Sequence, residues 1–500
     1  MSKITDRGGG AGGKRRDRVL VIGAGMAGLS TASELFSAGF KNVTVLEAQD
    51  RPGGRIKTLD PFGETHIEIG AQWVHGQHGN PIFHLADKMN LVDLDGMEKH
   101  SKKISYYYTE NGERVEDRIV DEIENLMESL FEAANDFHRK KMALPDGLIS
   151  VGDFFRRGFN EYLDSRNDTP EILEIKKGLY KWRLLWENGD NACNTIDELS
   201  LKAWGEFYEF AGEDDNVLKT GGYQPIIDHL LENIDKDAIV YNKPVKTINW
   251  CLDPEADSRV SVVCKDGCVY KADYVVSSVS IGVTRENIDT LFQPVLPTWK
   301  TEAMSRIGFG VVDKIFLEFE ERFWEEQCEG IHLVWLDDGT NFNLECYDPI
   351  AHNEKPGHEW YRGMFSFDGI VGQPKMLMGW ISGHEARKME ECSNEEVKDV
   401  CLELIRRFTD RKSLPKLKTF HMSRWFTEPY VRGSYSYCMT HGTPDDADTY
   451  ALPLPNKEEP KLMFAGEATN RNYFSTVHGA HLSGIREAQR IIEHHKRVTS

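Results

Sequence analysis

Residues 18–47 constrain the fold of this chain more than any other stretch. Val19–Ile22 is a short, β-branched, apolar run that reads as a buried strand. Gly23, Gly25 and Gly28 follow at the spacing G-x-G-x-x-G. A helical stretch then runs from Leu29 to Phe36, with Gly39 to stop it, and Val43–Leu46 reads as a second strand ending at Glu47. Each glycine has its own reason. Gly23 permits the tight turn out of the strand, Gly25 lets a pyrophosphate approach the backbone, and Gly28 lets the helix pack close to the sheet. The helix N-terminus offers unpaired N–H groups and the positive end of its dipole to phosphate. Glu47 can accept both ribose hydroxyls, and its charge repels a 2′-phosphate. The three glycines alone could be a bare turn. With two strands, a helix and a terminal acid around them they point to a bound dinucleotide.

A chain of 500 residues suggests about two to four domains. No stretch of 18 uninterrupted apolar residues occurs, so no membrane-spanning helix is expected. Residues 14–38 mimic a signal peptide, but cleavage there would destroy the nucleotide motif. Residues 1–15 are glycine-rich and polar and are expected to form a disordered tail. The net charge of −21 argues against nucleic acid as a partner. It reads either as plain solubility or as a field that steers a small polycation inward. Nine scattered cysteines with no C-x-x-C pair fit a reducing compartment, with neither a structural zinc nor a disulfide framework.

Arg51-Pro-Gly-Gly-Arg55-Ile56 follows the second strand as a turn, where glycine N–H groups and Arg55 can reach phosphate or a cofactor ring. Asn80 and Pro81 open a helix as cap and first residue. Residues 100–220 read as a helical insertion, with helices at Asp121–Lys141, Val151–Tyr162 and Pro170–Trp186. The acidic Glu187-Asn-Gly-Asp190 reads as a loop after the last helix, its charges facing solvent by default. Ile239–Trp250 and Val260–Cys264 alternate like strands, and Lys265-Asp-Gly-Cys268 is a hairpin turn. The Tyr274 strand returns to the nucleotide sheet. Strands such as Asp313–Glu320 and Lys375–Ser382 dominate from 300 to about 455, with one helix at Glu395–Phe408. The chain closes with a strand ending in Gly466-Glu467 and a helix opened by Gly479, a second anion-binding design. The expected class is α/β. A discontinuous Rossmann-type nucleotide-binding domain (16–85, 221–300, 456–496) joins an α+β domain (86–220, 301–455).

Taken in order, the glycine loop with Glu47, Arg51–Ile56, Gly70–Gly76, Gly466–Thr469 and Val477–Gly484 resemble the flavin-dependent amine oxidases, in their polyamine oxidase branch. The match spans about residues 17–494. Val312–Trp324 and Tyr430–Tyr437 read closest to the animal spermine oxidases. The resemblance implies the amine oxidase fold, with an FAD-binding domain and a substrate-binding domain. It implies oxidation of spermine with O2 to spermidine, 3-aminopropanal and hydrogen peroxide. The partners implied are a small polycationic amine and O2, with no nucleic acid and no membrane, and a monomer is favoured. A cytoplasmic location is expected, since the chain ends Arg497-Val-Thr-Ser500 rather than in a peroxisomal Ser-Lys-Leu.

The resemblance also implies roles for single residues. Glu467 contacts the FAD pyrophosphate–ribose region and Val245 the adenine. Trp73, Trp425, Val477 and Arg55 join Gly23, Gly25, Gly28 and Glu47 around the cofactor. Lys314, which on spacing alone is a solvated strand lysine, is placed by the resemblance against a water near flavin N5. His75, otherwise a structural histidine, faces substrate and sets its protonation state. Tyr435 and Thr476 wall the substrate. Glu187 falls where the family often has a tunnel acid, against the solvated-loop reading. Ser434 stands where monoamine oxidases carry the cysteine that bonds FAD, which implies noncovalent FAD. The alternatives are an N1-acetylpolyamine oxidase, a flavin-binding scaffold without turnover, and an NAD-dependent dehydrogenase. In the last of these, Gly466–Thr469 and the closing helix have no place.

Overall fold

The computed structural model describes residues 17–60, 66–100, 102–219, 221–251, 258–336 and 359–499. The expected tail and Cys346 lie outside the described residues. Val19–Ile22 is the middle strand of five, all parallel, in the order Leu462–Phe464, Tyr274–Ser277, Val19–Ile22, Val43–Leu46, Ile239–Val240. Strands of this kind are buried on both faces, which is why the run is apolar throughout. Val19 and Val21 face a helical layer, while Leu20 and Ile22 face a second, four-stranded sheet containing Val260–Cys264. The helical layer pairs the first glycine-opened helix, Met26–Ser37, with the last, Val477–Thr499. Their backbones meet directly. Thr31 Oγ1 donates to Gly484 O at 3.0 Å, and a Cβ on Gly484 would stand 2.2 Å from Ala27 O.

Both helices start earlier than the sequence pattern indicates. Met26 rather than Leu29 opens the first, and Val477 rather than Gly479 the last. The reason is local. First-turn residues make no intrahelical N–H bonds, so apolar spacing does not mark them. In the last helix, Thr476 Oγ1 accepts the Gly479 N–H at 2.9 Å and sets the true start. Asn80 caps Pro81–Lys88 as expected, accepting from Ile82 N and Phe83 N.

A six-stranded sheet faces the parallel one across the site, in the order Leu417–Met422, Val312–Phe319, Gln373–Ser382, Ser366–Ile370, Cys328–Val334, Ile104–Thr109. Val312–Phe319 is an inner strand buried along its whole length, so the solvated-edge reading of Lys314 does not hold. Ile104–Thr109 is a strand inside the stretch expected to be helical, and its Ile-Ser-Tyr-Tyr-Tyr-Thr composition carried that signal. The insertion also supplies a second short strand, Asp215–Val217, and helices Asp117–Arg139, Val151–Asp164 and Pro170–Asp190. The last corrects the expected acidic loop. The helix continues through Glu187 and Asp190, helped by an i,i+4 pair of Arg183 with Glu187 at 2.7 Å. Among the described residues no helix is long and apolar enough to cross a membrane.

Candidate active site

A cavity of about 1390 Å³ runs from the glycine loop, past the six-stranded sheet, to the helical insertion. It touches Gly23, Gly25, Glu47, Arg55, Trp73, His75, Glu187, Val245, Lys314, Trp425, Tyr435, Glu467, Thr476 and Val477. Gly28 is the one expected residue that does not line it. Its task is steric, because a Cβ there would stand 1.9 Å from Gly23 O.

At the nucleotide end, Gly23 turns with φ +99°. Gly25 caps the helix without a side chain, and its nearest neighbour to a built Cβ is 3.8 Å away. The backbone is thus open to an anion at the helix N-terminus. Glu47 is buried and accepts from Ala24 N at 2.6 Å and Gln49 N at 2.8 Å. Burial raises its pKa, against these N–H groups, which lower it. Each of its oxygens takes one of these bonds and keeps further acceptor capacity for a hydroxyl. The two arginines of the turn divide the work. Arg51 closes the turn onto Pro52, Gly54 and Ile56 carbonyls, while Arg55 reaches Glu467 at 2.9 Å and Ser434 O at 2.7 Å. Glu467 is fixed further by Ser436 Oγ at 2.5 Å and Ser475 N at 2.8 Å. Gly466 beside it, at φ +129°, has nothing within 4 Å of a built Cβ.

At the other end, Lys314 Nζ donates to Gly70 O at 2.7 Å, Gln72 Oε1 at 2.8 Å and Glu68 O at 3.1 Å. It lies 5.0 and 5.6 Å from the ring centres of Trp380 and Trp73, which stack on each other. Burial lowers its pKa, and the Glu68 carboxylate works the other way. Trp425 holds the same turn as well. Its Nε1 donates to Ile69 O at 3.2 Å, and its ring would meet a Cβ on Gly70 at 3.2 Å. Glu68, Gln72 and Trp380 were not singled out by sequence reasoning. Only their place beside Gly70 or opposite Lys314 in the sheet gives them a part.

His75 lies on Trp73–His75, which pairs antiparallel with Asp215–Val217 and sets His75 opposite Asp215. Its Nδ1 is 3.4 Å from Asp215 and 3.6 Å from Asp214. Burial disfavours the charged ring, but hydrogen bonds to the two carboxylates outweigh it and raise the pKa to about 10. The two carboxylates thus favour the charged ring. Sequence reasoning missed both aspartates, since Glu213-Asp-Asp215 has the look of a solvated charge run.

Tyr435 OH donates to Gly189 O at 2.6 Å. The Thr476 hydroxyl is engaged by its own helix cap and by Tyr473 O at 2.8 Å, so Thr476 supplies wall rather than a free donor. Glu187 is buried against Arg183, and burial raises its carboxyl to about 8. Asp190 opens into the cavity, yet is enclosed enough that burial raises it to about 6. Ser434 Oγ bonds the Val312 backbone in both directions, at 2.8 and 2.9 Å.

The profile of the flavin containing amine oxidoreductases matches residues 26–492. The chain belongs to that family. The peroxisomal N(1)-acetyl-spermine/spermidine oxidase of Bos taurus is 35% identical, over 96% of this chain and 95% of that protein. The Homo sapiens protein of the same name is 35% identical, over 95% and 94%. The probable polyamine oxidase 5 of Arabidopsis thaliana is 31% identical, over 96% and 99%. Among solved structures, a putrescine oxidase double mutant superposes with TM-score 0.67 at 21% identity, covering 95% of this chain and 99% of that one. Cyclohexylamine oxidase from Brevibacterium oxydans gives 0.70 at 18%, covering 96% and 100%. The fold is the amine oxidase fold. This amine oxidase depends on FAD, and its residues fit that cofactor: an uncapped helix N-terminus, two open glycine backbones and a buried acid line one end of the cavity. The NAD-dependent dehydrogenase and the scaffold without turnover are set aside by the same findings.

Proposed function

We propose that this flavin amine oxidase oxidises polyamines, spermine above all, to an imine that water hydrolyses to spermidine and 3-aminopropanal, with O2 reduced to hydrogen peroxide. The observation that carries this reading is the charge lining the arm of the cavity beyond the Lys314 turn. Glu128, Glu132, Asp190, Glu209, Asp214 and Asp215 face it, against Arg139 and Arg183, while the expected Glu187 is closed onto Arg183. Carboxylates in a partly dry arm hold ammonium groups by charge-assisted hydrogen bonds. Acetylation removes one positive charge from a polyamine, so such an arm favours the unacetylated molecule.

FAD held by the glycine loop, Glu47 and the Gly466 backbone would supply hydride acceptance from the carbon beside the amine nitrogen and electron return to O2. The chain's own groups arrange the rest. A protonated amine cannot give up hydride, so the reacting nitrogen must be presented neutral, and His75 borders the cavity where it can set that protonation state. Tyr435 and Thr476 wall the amine, and the remote ammonium groups reach the acids. Lys314, preorganised by three acceptors, would offer its ammonium to negative charge developing on the cofactor. Ser434 in place of a cysteine supports noncovalent FAD.

The names of the two mammalian relatives favour a second reading, oxidation of N1-acetylated polyamines. A competition assay separates the two. Equimolar spermine and N1-acetylspermine are given to the FAD-loaded enzyme, and both are followed by mass spectrometry. Spermine should disappear several-fold faster. Faster loss of N1-acetylspermine would replace the first reading with the second.

A further inference from the structure

Away from the reacting end of the cavity, one hairpin tip gathers two thiols, a lysine and an aspartate. Val260–Cys264 and Val269–Ala272 run antiparallel with Val263 opposite Val269. One step on, Cys264 stands opposite Cys268, its N–H donating to Cys268 O at 2.9 Å. Gly267, at φ +83°, closes the turn with its N–H on Cys264 O at 3.0 Å. The Cys268 N–H turns instead to Asp266 Oδ1 at 3.0 Å; residues opposed across an antiparallel pair stand about 4.5–5.5 Å apart at Cα, inside the roughly 4.4–6.8 Å that a disulfide spans. Both side chains lie on one face of the hairpin, Cys264 within an apolar cluster and Cys268 packed against it.

The thiols differ in kind. Cys264 is buried, and burial pushes it up to about 11. Cys268 is half-exposed, its Sγ 3.3 Å from Asp266 Oδ2 and 3.7 Å from Lys243 Nζ. The thiol points its hydrogen at the carboxylate, which Lys243 also pairs, and the ammonium stands beside the sulfur. Cys268 is thus the sulfur an oxidant meets, and Cys264 the one placed to resolve it. The hairpin is also tied to the cavity wall. Lys243 N–H donates to Glu47 O and Lys265 N–H to Pro244 O, each at 2.8 Å, beside Val245.

We propose that Cys264 and Cys268 are a peroxide-sensitive pair that closes to a disulfide. The Cys268 thiolate attacks one peroxide oxygen, the O–O bond breaks, and a sulfenic acid and one water result. The Cys264 sulfur displaces that hydroxyl, the S–S bond forms and a second water leaves. Overall, two thiols lose two hydrogens and one hydrogen peroxide becomes two waters. That the enzyme itself supplies the peroxide rests on the proposed function; the reactivity of the pair does not.

The test therefore uses no amine. FAD-loaded enzyme is treated with reagent hydrogen peroxide, denatured, alkylated and digested. The peptide carrying both cysteines should be lighter by two hydrogens, unalkylated, and restored by dithiothreitol. In Cys268→Ser, Cys264 should stay alkylatable. In Cys264→Ser, Cys268 should accumulate as a sulfenic acid that dimedone traps. Full alkylation of both cysteines after peroxide, a Cys268–Lys243 link, or Cys268 running to the sulfinic acid in the unmutated chain would overturn the proposal.

Discussion

A lysine in mid-strand is ordinarily left in water, and Lys314 is not. Its three acceptors come from one turn, 68–72, and two stacked indoles close over it. Lys314→Met should keep FAD bound yet slow reoxidation of the reduced enzyme by O2 by about a hundredfold, the scale for losing one preorganised buried group. Stopped-flow mixing with oxygen checks this, and unchanged oxygen kinetics would refute the role. Glu187 makes a pH prediction. Its folded pKa is raised from 4.5 to about 8, so between those values the folded state binds more protons than the unfolded one. Its contribution to stability is present below about 4.5, is lost as pH rises toward about 8, and stays lost above. Thermal melts of Glu187→Gln against the parent should shift in the variant's favour from pH 5 to pH 9; a constant difference would contradict the assignment. Among single residues, those carried by a glycine or an acid in a motif were legible in sequence, as Gly23, Glu47 and Glu467 show. Asp214 and Asp215 were not, because their meaning comes from a strand pairing that sets His75 opposite Asp215.

At the scale of elements, the β-strand to helix turn at Gly23–Gly28 separates two functions that one motif carries. A Cβ on Gly28 would collide with Gly23 O, whereas Gly25 has a negative φ and only ordinary contacts around a Cβ. Gly28→Ala should cost about 1–3 kcal/mol or more in chemical denaturation and lose FAD as well. Gly25→Ala should keep the stability of the apoprotein and lose FAD retention alone. Equal losses in both measurements for the two variants would mean that Gly25 is only a turn residue. Most strands and helices were legible through their two periods. The misses have a common cause: element ends and short strands depend on partners far along the chain. Ile104–Thr109 is held by Cys328–Val334, and the helix through Glu187 by an ion pair that a loop reading discards.

The whole molecule assembles its cavity from segments spread over the chain, from Gly23 to Val477. Sequence could name those segments through a resemblance but could not show that Gly28 lies beneath the cavity rather than in it. The net charge of −21 and the acid-lined arm act in the same direction on a polycation. The kcat/KM for spermine should therefore fall several-fold between low salt and about 0.15 M, where screening sets in within ~8 Å. A singly charged amine should change much less, and equal salt dependence would remove the steering role. The measurement that bears most directly on what this enzyme does is anaerobic mixing of FAD-loaded protein with spermine. The yellow of the oxidised flavin should bleach, then return on admitting air, with one hydrogen peroxide, one spermidine and one 3-aminopropanal per turnover. A flavin that stays oxidised under spermine, spermidine and N1-acetylspermine alike would contradict polyamine oxidation by this chain.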